Sequence, residues 1–288
     1  MPSPQSRTPY GMHRVAVPTP RGTVLALRND PPTTTSRHAA VMVSGLAETK
    51  EQWCPVMLRL GRSGRPAYSY DHPGQFDPVA GPHTVDSLAS DLLALLDAIS
   101  PDRPVHLVGG CFGGFVAREL VTRAPHRVRS LVLLGSGRSL ATSAAPLLPD
   151  QVETALRTEG IRAVFDRIRD DSEKAGLSTR SVERVRDSYL AIRPEFLTAF
   201  SRSVAEHRCP PRFEPPVLVG YGTADEMWTP QEQRELAARI GASVAEIEGA
   251  GHAATVTHPR AVCQMLTRFW DTVDDPAGAR AELDPAPA

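Results

Sequence analysis

Short apolar runs alternate with amphipathic stretches along most of the chain. Residues 39–43, 105–108, 128–134 and 216–221 are almost uninterrupted apolar segments, the pattern of strands buried on both faces of a parallel sheet. Residues 66–70 and 243–247 read as further strands. Residues 13–17 and 23–28 predict a hairpin, joined by a several-residue turn through Pro18 and Gly22. Helical spacing appears over 51–60, over 84–99, where Leu88, Leu92, Leu95 and Leu96 share a face, and over 115–121, stopping near Pro125. Strand and helix in alternation predict an α/β fold with a mostly parallel, doubly wound sheet. From 138 to 212 the strand-like runs vanish. Periodic segments at 151–158, 161–174, 180–192 and 195–206 predict a helical insertion there. The expected organisation is a loose leader over 1–12, a core over 13–137 and 213–273, the insertion over 138–212, and a disordered Asp-, Pro- and Ala-rich tail over 274–288.

Composition narrows the function. A chain of 288 residues with 41% hydrophobic content can bury a substantial core, and a net charge of −1 argues against a nucleic-acid or anionic-membrane surface. No apolar run reaches the length of a membrane span. The four cysteines, Cys54, Cys111, Cys209 and Cys263, show neither a C-x-x-C pair nor metal-ligand spacing. Together with a first stretch that lacks a secretory signal's apolar core, they predict reduced thiols, a cytoplasmic protein and no metal. No P-loop or dinucleotide fingerprint is present, so no cofactor is expected. The expected partner is a small-molecule substrate, not nucleic acid or membrane.

Gly109-Gly110-Cys111-Phe112-Gly113-Gly114 joins the strand over 105–108 to the helix over 115–121. A nucleophile at the apex of such a turn sits in a strained backbone, and neighbours without a Cβ let strand and helix pass closely. The stretch resembles the nucleophile elbow G-x-S-x-G of the α/β-hydrolase superfamily, with Cys111 where serine is usual. The resemblance runs from about residue 13 to 272. Gly222 to Pro230 resembles the family's G-x-x-D-x-x-x-P loop, which implies Asp225 as the acid, with Glu226 its rival. The alternative role for Asp225 is to cap the helix beginning near Thr229-Pro230. Gly251-His252, after the last strand, matches the position of the family's histidine. Gly135-Ser136-Gly137 offers no carboxylate at the other acid position that some members use.

The resemblance also implies an oxyanion hole from the backbone N–H groups of Leu46 and Phe112. Ser44 stands where the family has histidine before Gly45. Asp71-His72-Pro73-Gly74-Gln75 resembles D-R-P-G-x-G, with His72 in the arginine position. Asp71 and Gly74 are expected to form the turn. His72, Trp53, Phe165, Tyr189, Phe196 and Phe200 are the candidate substrate-binding side chains, and the insertion resembles the family's helical cap.

These roles imply that His252 takes the Cys111 proton while Asp225 holds the tautomer. The helix beginning behind Cys111 is expected to lower the thiol pKa and favour a thiolate–imidazolium pair. The expected reaction is cleavage of an activated ester, lactone or thioester of a small organic metabolite through a Cys111 acyl-enzyme. Two alternatives stand beside it. One is a tailoring enzyme of the same fold that eliminates an acyl group or cyclises a polyketide-type substrate. The other is a non-catalytic relative that binds a small ligand.

Overall fold

Strands β1 (His13–Thr19) and β2 (Gly22–Arg28) form the hairpin. Their register pairs Thr19 with Gly22, so Pro20 and Arg21 alone make the turn, tighter than the several-residue loop expected. Then come β3 (Ala40–Val43), α1 (Cys54–Arg62), β4 (Ala67–Tyr70), α2 (Val85–Ile99), β5 (Val105–Gly110), α3 (Gly113–Arg123) and β6 (Val128–Leu134). After α4 (Pro149–Thr158) and α5 (Pro194–Glu206), the sheet resumes with β7 (Val217–Gly222), α6 (Pro230–Ile240) and β8 (Ser243–Ile247). Two helices, α7 (Ala254–Thr257) and α8 (Pro259–Asp274), complete the order. This computed structural model describes residues 11–31, 37–139, 149–166 and 186–275. The segments expected over 1–10, 167–185 and 276–288 lie outside the described residues.

The strands form one sheet in the order β1-β2-β4-β3-β5-β6-β7-β8. Pairing is antiparallel from β1 through β2 to β4 and parallel from there on. All of β3, β5 and β7 is buried, as their continuous apolar runs require. Alternation then sorts side chains between two cores. Val41, Val43 and Leu107 pack with α2, α3 and α6, whereas Met42 and Val108 pack with α1 and α8. Met12, expected in the leader, is 2% exposed and belongs to this second core.

Asp274, expected as the first residue of the tail, is instead the last residue of α8. Its Oδ2 lies 3.2 Å from His106 Nε2 and 3.3 Å from an Arg65 guanidinium nitrogen. The His106 ring stacks on Trp270, with Ser130 Oγ 2.7 Å from its Nδ1. Arg65 covers the Trp270 ring at 5.0 Å. Burial pushes His106 down to about 3, and elsewhere pushes His72 down to about 4. Both rings are therefore neutral in the folded protein near pH 7. The unfolded chain takes up these protons below about 6.5, the folded chain only near the lowered values, so stability is lost as pH falls. The urea midpoint is expected to decline from pH 7 to 4.5. His72→Gln and His106→Gln are expected to flatten that slope, and a midpoint flat in the parent protein contradicts the reading.

Candidate active site

Cys111 follows β5 at a positive φ of 48°, a conformation L-residues adopt only under constraint. Its N–H donates to Leu134 O at 3.0 Å, which ties the turn to the end of β6. A Cβ at Gly109 would fall 2.5 Å from Gly114 Cα, and one at Gly113 2.4 Å from Val43 O. Neither backbone can yield, so the glycines let α3 start against β3 and β5. Cys111 itself is 6% exposed.

The loops after β7 and β8 are laced together. Thr223 N–H donates to Ile247 O, Ala224 N–H to Ala250 O, and Gly249 N–H to Thr223 Oγ1. That lacing brings the Asp225 carboxylate to His252 Nδ1, at 3.1 Å from Oδ2 and 3.2 Å from Oδ1. Asp225 is 2% exposed and also accepts the Met227 N–H at 2.9 Å. The helix cap falls to another residue: Thr229 Oγ1 accepts the Glu232 N–H and Glu232 returns the bond, with Pro230 at the first position of α6. Glu226 is exposed.

His252 Nε2 is buried and meets no hydrogen-bond partner, while the Cys111 sulfur lies close enough for thiol and imidazole to act on each other's charge. Burial alone would lower the His252 pKa, but the Asp225 carboxylate and the Cys111 sulfur raise it well above the usual value. Burial also raises the thiol, against the pull of His252 and the Phe112 N–H. The thiol is thus raised where the sequence led us to expect it lowered, because desolvation of the buried sulfur is the largest influence on it.

The Phe112 N–H opens the turn into α3 and acts to lower the Cys111 thiol. Leu46 is half-buried in the loop after β3, and Ala47 beside it carries a positive φ of 61°. The two departures from the family pattern touch each other: His72 Nε2–H donates to Ser44 O at 2.8 Å. His72 is 1% exposed and packs against the rings of Phe196 and Phe200. Asp71 accepts the Lys50 N–H at 2.7 Å rather than only closing its own turn. Gly74, at a φ of 87°, turns the chain there.

Of the candidate substrate contacts, Phe200 comes near the nucleophile turn, its ring centroid 6.4 Å from that of Phe112. Phe196 stacks on Phe200, and Phe165 pairs with Tyr189 at 5.8 Å. Trp53 lies in the second core, behind β5, where a Cβ on Gly110 would meet its ring at 3.0 Å. Three side chains were given no role in the sequence reading. Trp228 is fully buried between Phe112 and His252 and donates Nε1–H to Ser139 O at 3.2 Å. Gln75 donates to Glu48 O, and the Glu48 carboxylate accepts the Gly45 N–H at 2.7 Å. The indole at 228, next to the acid loop, was the one legible signal.

A model of the alpha/beta hydrolase family matches residues 40–265. Over 215 residues the chain is 31% identical to the polyketide synthase ThaQ of Burkholderia thailandensis, covering 71% of this chain and 10% of that protein. The chain therefore spans about a tenth of that relative's length. Over 238 residues it is 31% identical to the rhodomycin D methylesterase DauP of a Streptomyces species, covering 68% of this chain and 78% of the relative. A thermophilic esterase from Thermogutta terrifontis shares the fold, with a TM-score of 0.75 at 20% identity over 91% of this chain and 99% of that one. Because the family match runs unbroken from β3 into α8 and takes in every loop of the site, this chain belongs to the alpha/beta hydrolase family of hydrolase-like enzymes.

Proposed function

We propose that Cys111, His252 and Asp225 are a catalytic triad that cleaves a carboxylic ester, lactone or thioester of a small organic metabolite through an acyl group on Cys111. The observation that carries this reading is the Asp225 carboxylate 3.1 Å from His252 Nδ1, with Nε2 on the far side of the ring buried and unpartnered and the Cys111 sulfur close enough to act on the ring's charge. His252 Nε2 takes the thiol proton as sulfur attacks the carbonyl carbon. The carbonyl π electrons move to oxygen, held by the N–H groups of Phe112 and Leu46. Collapse of that adduct breaks the C–O bond, and the imidazolium returns its proton to the departing alkoxide. Water then adds to the thioester with His252 as base, and thiolate leaves. The helix α5 acts as part of a cap, with Phe200 and Phe196 walling the acyl side, a role supported by the packing of Phe200 on Phe112 and of Phe196 on Phe200. The methylesterase and polyketide-synthase relatives favour an ester of a polyketide-type metabolite.

Rapid mixing with a slow ester is expected to leave an acyl mass on Cys111. Turnover in ¹⁸O-water is expected to put label in the released acid. Unlabelled acid, a dehydrated second product and no mass on Cys111 would instead identify acyl elimination with His252 as base.

A further inference from the structure

A second carboxylate stands beside the nucleophile. A Cβ built on Gly45 would lie 2.8 Å from Cys111 Cβ, and 3.1 Å from both Cδ and Oε2 of Glu48, so the two side chains flank one bare Cα. A Cβ on Gly110 would lie 3.7 Å from the same Oε2. The Gly45 N–H, donated at 2.7 Å, fixes the carboxylate there, and Gln75 Nε2 holds the Glu48 backbone at 3.2 Å. Lys50, two residues on, is engaged by Asp71 at 2.5 Å and Glu51 at 3.2 Å. Cys111 thus faces His252 from the loop after β8, Glu48 from the loop after β3, and the Phe112 N–H from the start of α3, with Asp225 behind the imidazole. We propose that Glu48 is a positioning residue whose carboxylate, fixed beside Cys111, makes sulfur the poorer leaving group and so extends the reaction to esters of unactivated alcohols.

The chemistry follows from how a thiol-derived adduct partitions. An ordinary thiolate leaves far more readily than an alkoxide, so attack on an alkyl ester mostly reverses. A negative charge next to sulfur disfavours thiolate and favours the imidazolium that must protonate the alkoxide. Both effects push collapse forwards. Burial raises the Glu48 carboxyl above its usual range, against the opposing pull of the Gly45 N–H and His252; Glu48 in turn raises the thiol. The inference rests on Cys111 being the acylated residue.

The test uses the full chain and two variants. Glu48→Gln keeps an acceptor for the Gly45 N–H and removes the charge, whereas Glu48→Asp keeps the charge. Iodoacetamide alkylation, followed at the Cys111 peptide as a function of pH, is expected to show a midpoint about one pH unit lower in Glu48→Gln and near the parent value in Glu48→Asp. Turnover of a methyl ester and a nitrophenyl ester of one acid is expected to fall unequally in Glu48→Gln, by at least about ten-fold more for the methyl ester. An unshifted midpoint, an equal loss on both esters, or Glu48→Asp behaving as Glu48→Gln overturns the proposal. The alkylation arm needs no acylation. A trapped acyl-Cys111 with an unshifted midpoint therefore ends the Glu48 inference alone, and a shifted midpoint with no acyl adduct ends the acyl-enzyme reading alone.

Discussion

Cys111→Ala is expected to lower kcat/KM for an ester substrate by about 10⁴-fold or more and to abolish any covalent acyl mass, with the urea midpoint little changed. The sulfur supplies the only bond proposed between enzyme and acyl group, and no other thiol lies in the turn. Cys54 and Cys263 are buried in the second core, and Cys209 lies between α5 and β7. His252→Ala is expected to cost a comparable factor. The double variant should be little worse than either single one, since groups that act in one proton transfer do not contribute additively. Residual turnover in Cys111→Ala within about ten-fold of the parent removes the nucleophile from the mechanism.

Asp225→Asn is expected to lower kcat by about 10²- to 10⁴-fold while the protein stays folded. The loss comes from the imidazole: an amide at this position no longer stabilises the imidazolium and presents an N–H₂ that competes for the wrong tautomer. Stability is expected to survive because Thr229 and Glu232, not Asp225, satisfy the first turn of α6. Glu226→Gln, on an exposed side chain, is expected to change kcat less than about three-fold. Steady-state kinetics with a urea titration on each variant decides the matter. Abolition by Glu226→Gln with Asp225→Asn active would show that the wrong carboxylate had been assigned.

Much of the architecture was legible because strands buried on both faces leave a strong local trace. The apolar runs that became β3, β5, β6 and β7 were recognisable without any partner strand in view. The elbow was legible for a related reason: glycines at 109 and 113 answer a steric demand made by backbone atoms a few residues away and across β3. The hairpin turn was misjudged because Pro18 and Gly22 both carry turn chemistry, yet the register with β2 extends the strands to Thr19 and Gly22. Asp274 was misjudged because a Pro- and Ala-rich neighbourhood says nothing of His106 and Arg65, more than 160 residues away in sequence.

By itself the sequence determined the mostly parallel sheet with helices between its strands, and it placed Cys111, Asp225 and His252 in that order along the chain, each just after a strand-like run. The sheet is written in local hydrophobic period, and the three positions in short motifs that resemble one family's. Tertiary structure decided what those residues meet. Lacing between two loops brought Asp225, and not Glu226, to His252. The burial common to the whole site raised the thiol that one helix end was expected to lower. Folding of the loop after β3 set Glu48 and Cys111 on either side of Gly45, where an added Cβ would meet both side chains. Charge and desolvation act through space over a few ångströms, and no spacing along the chain records which groups will share them.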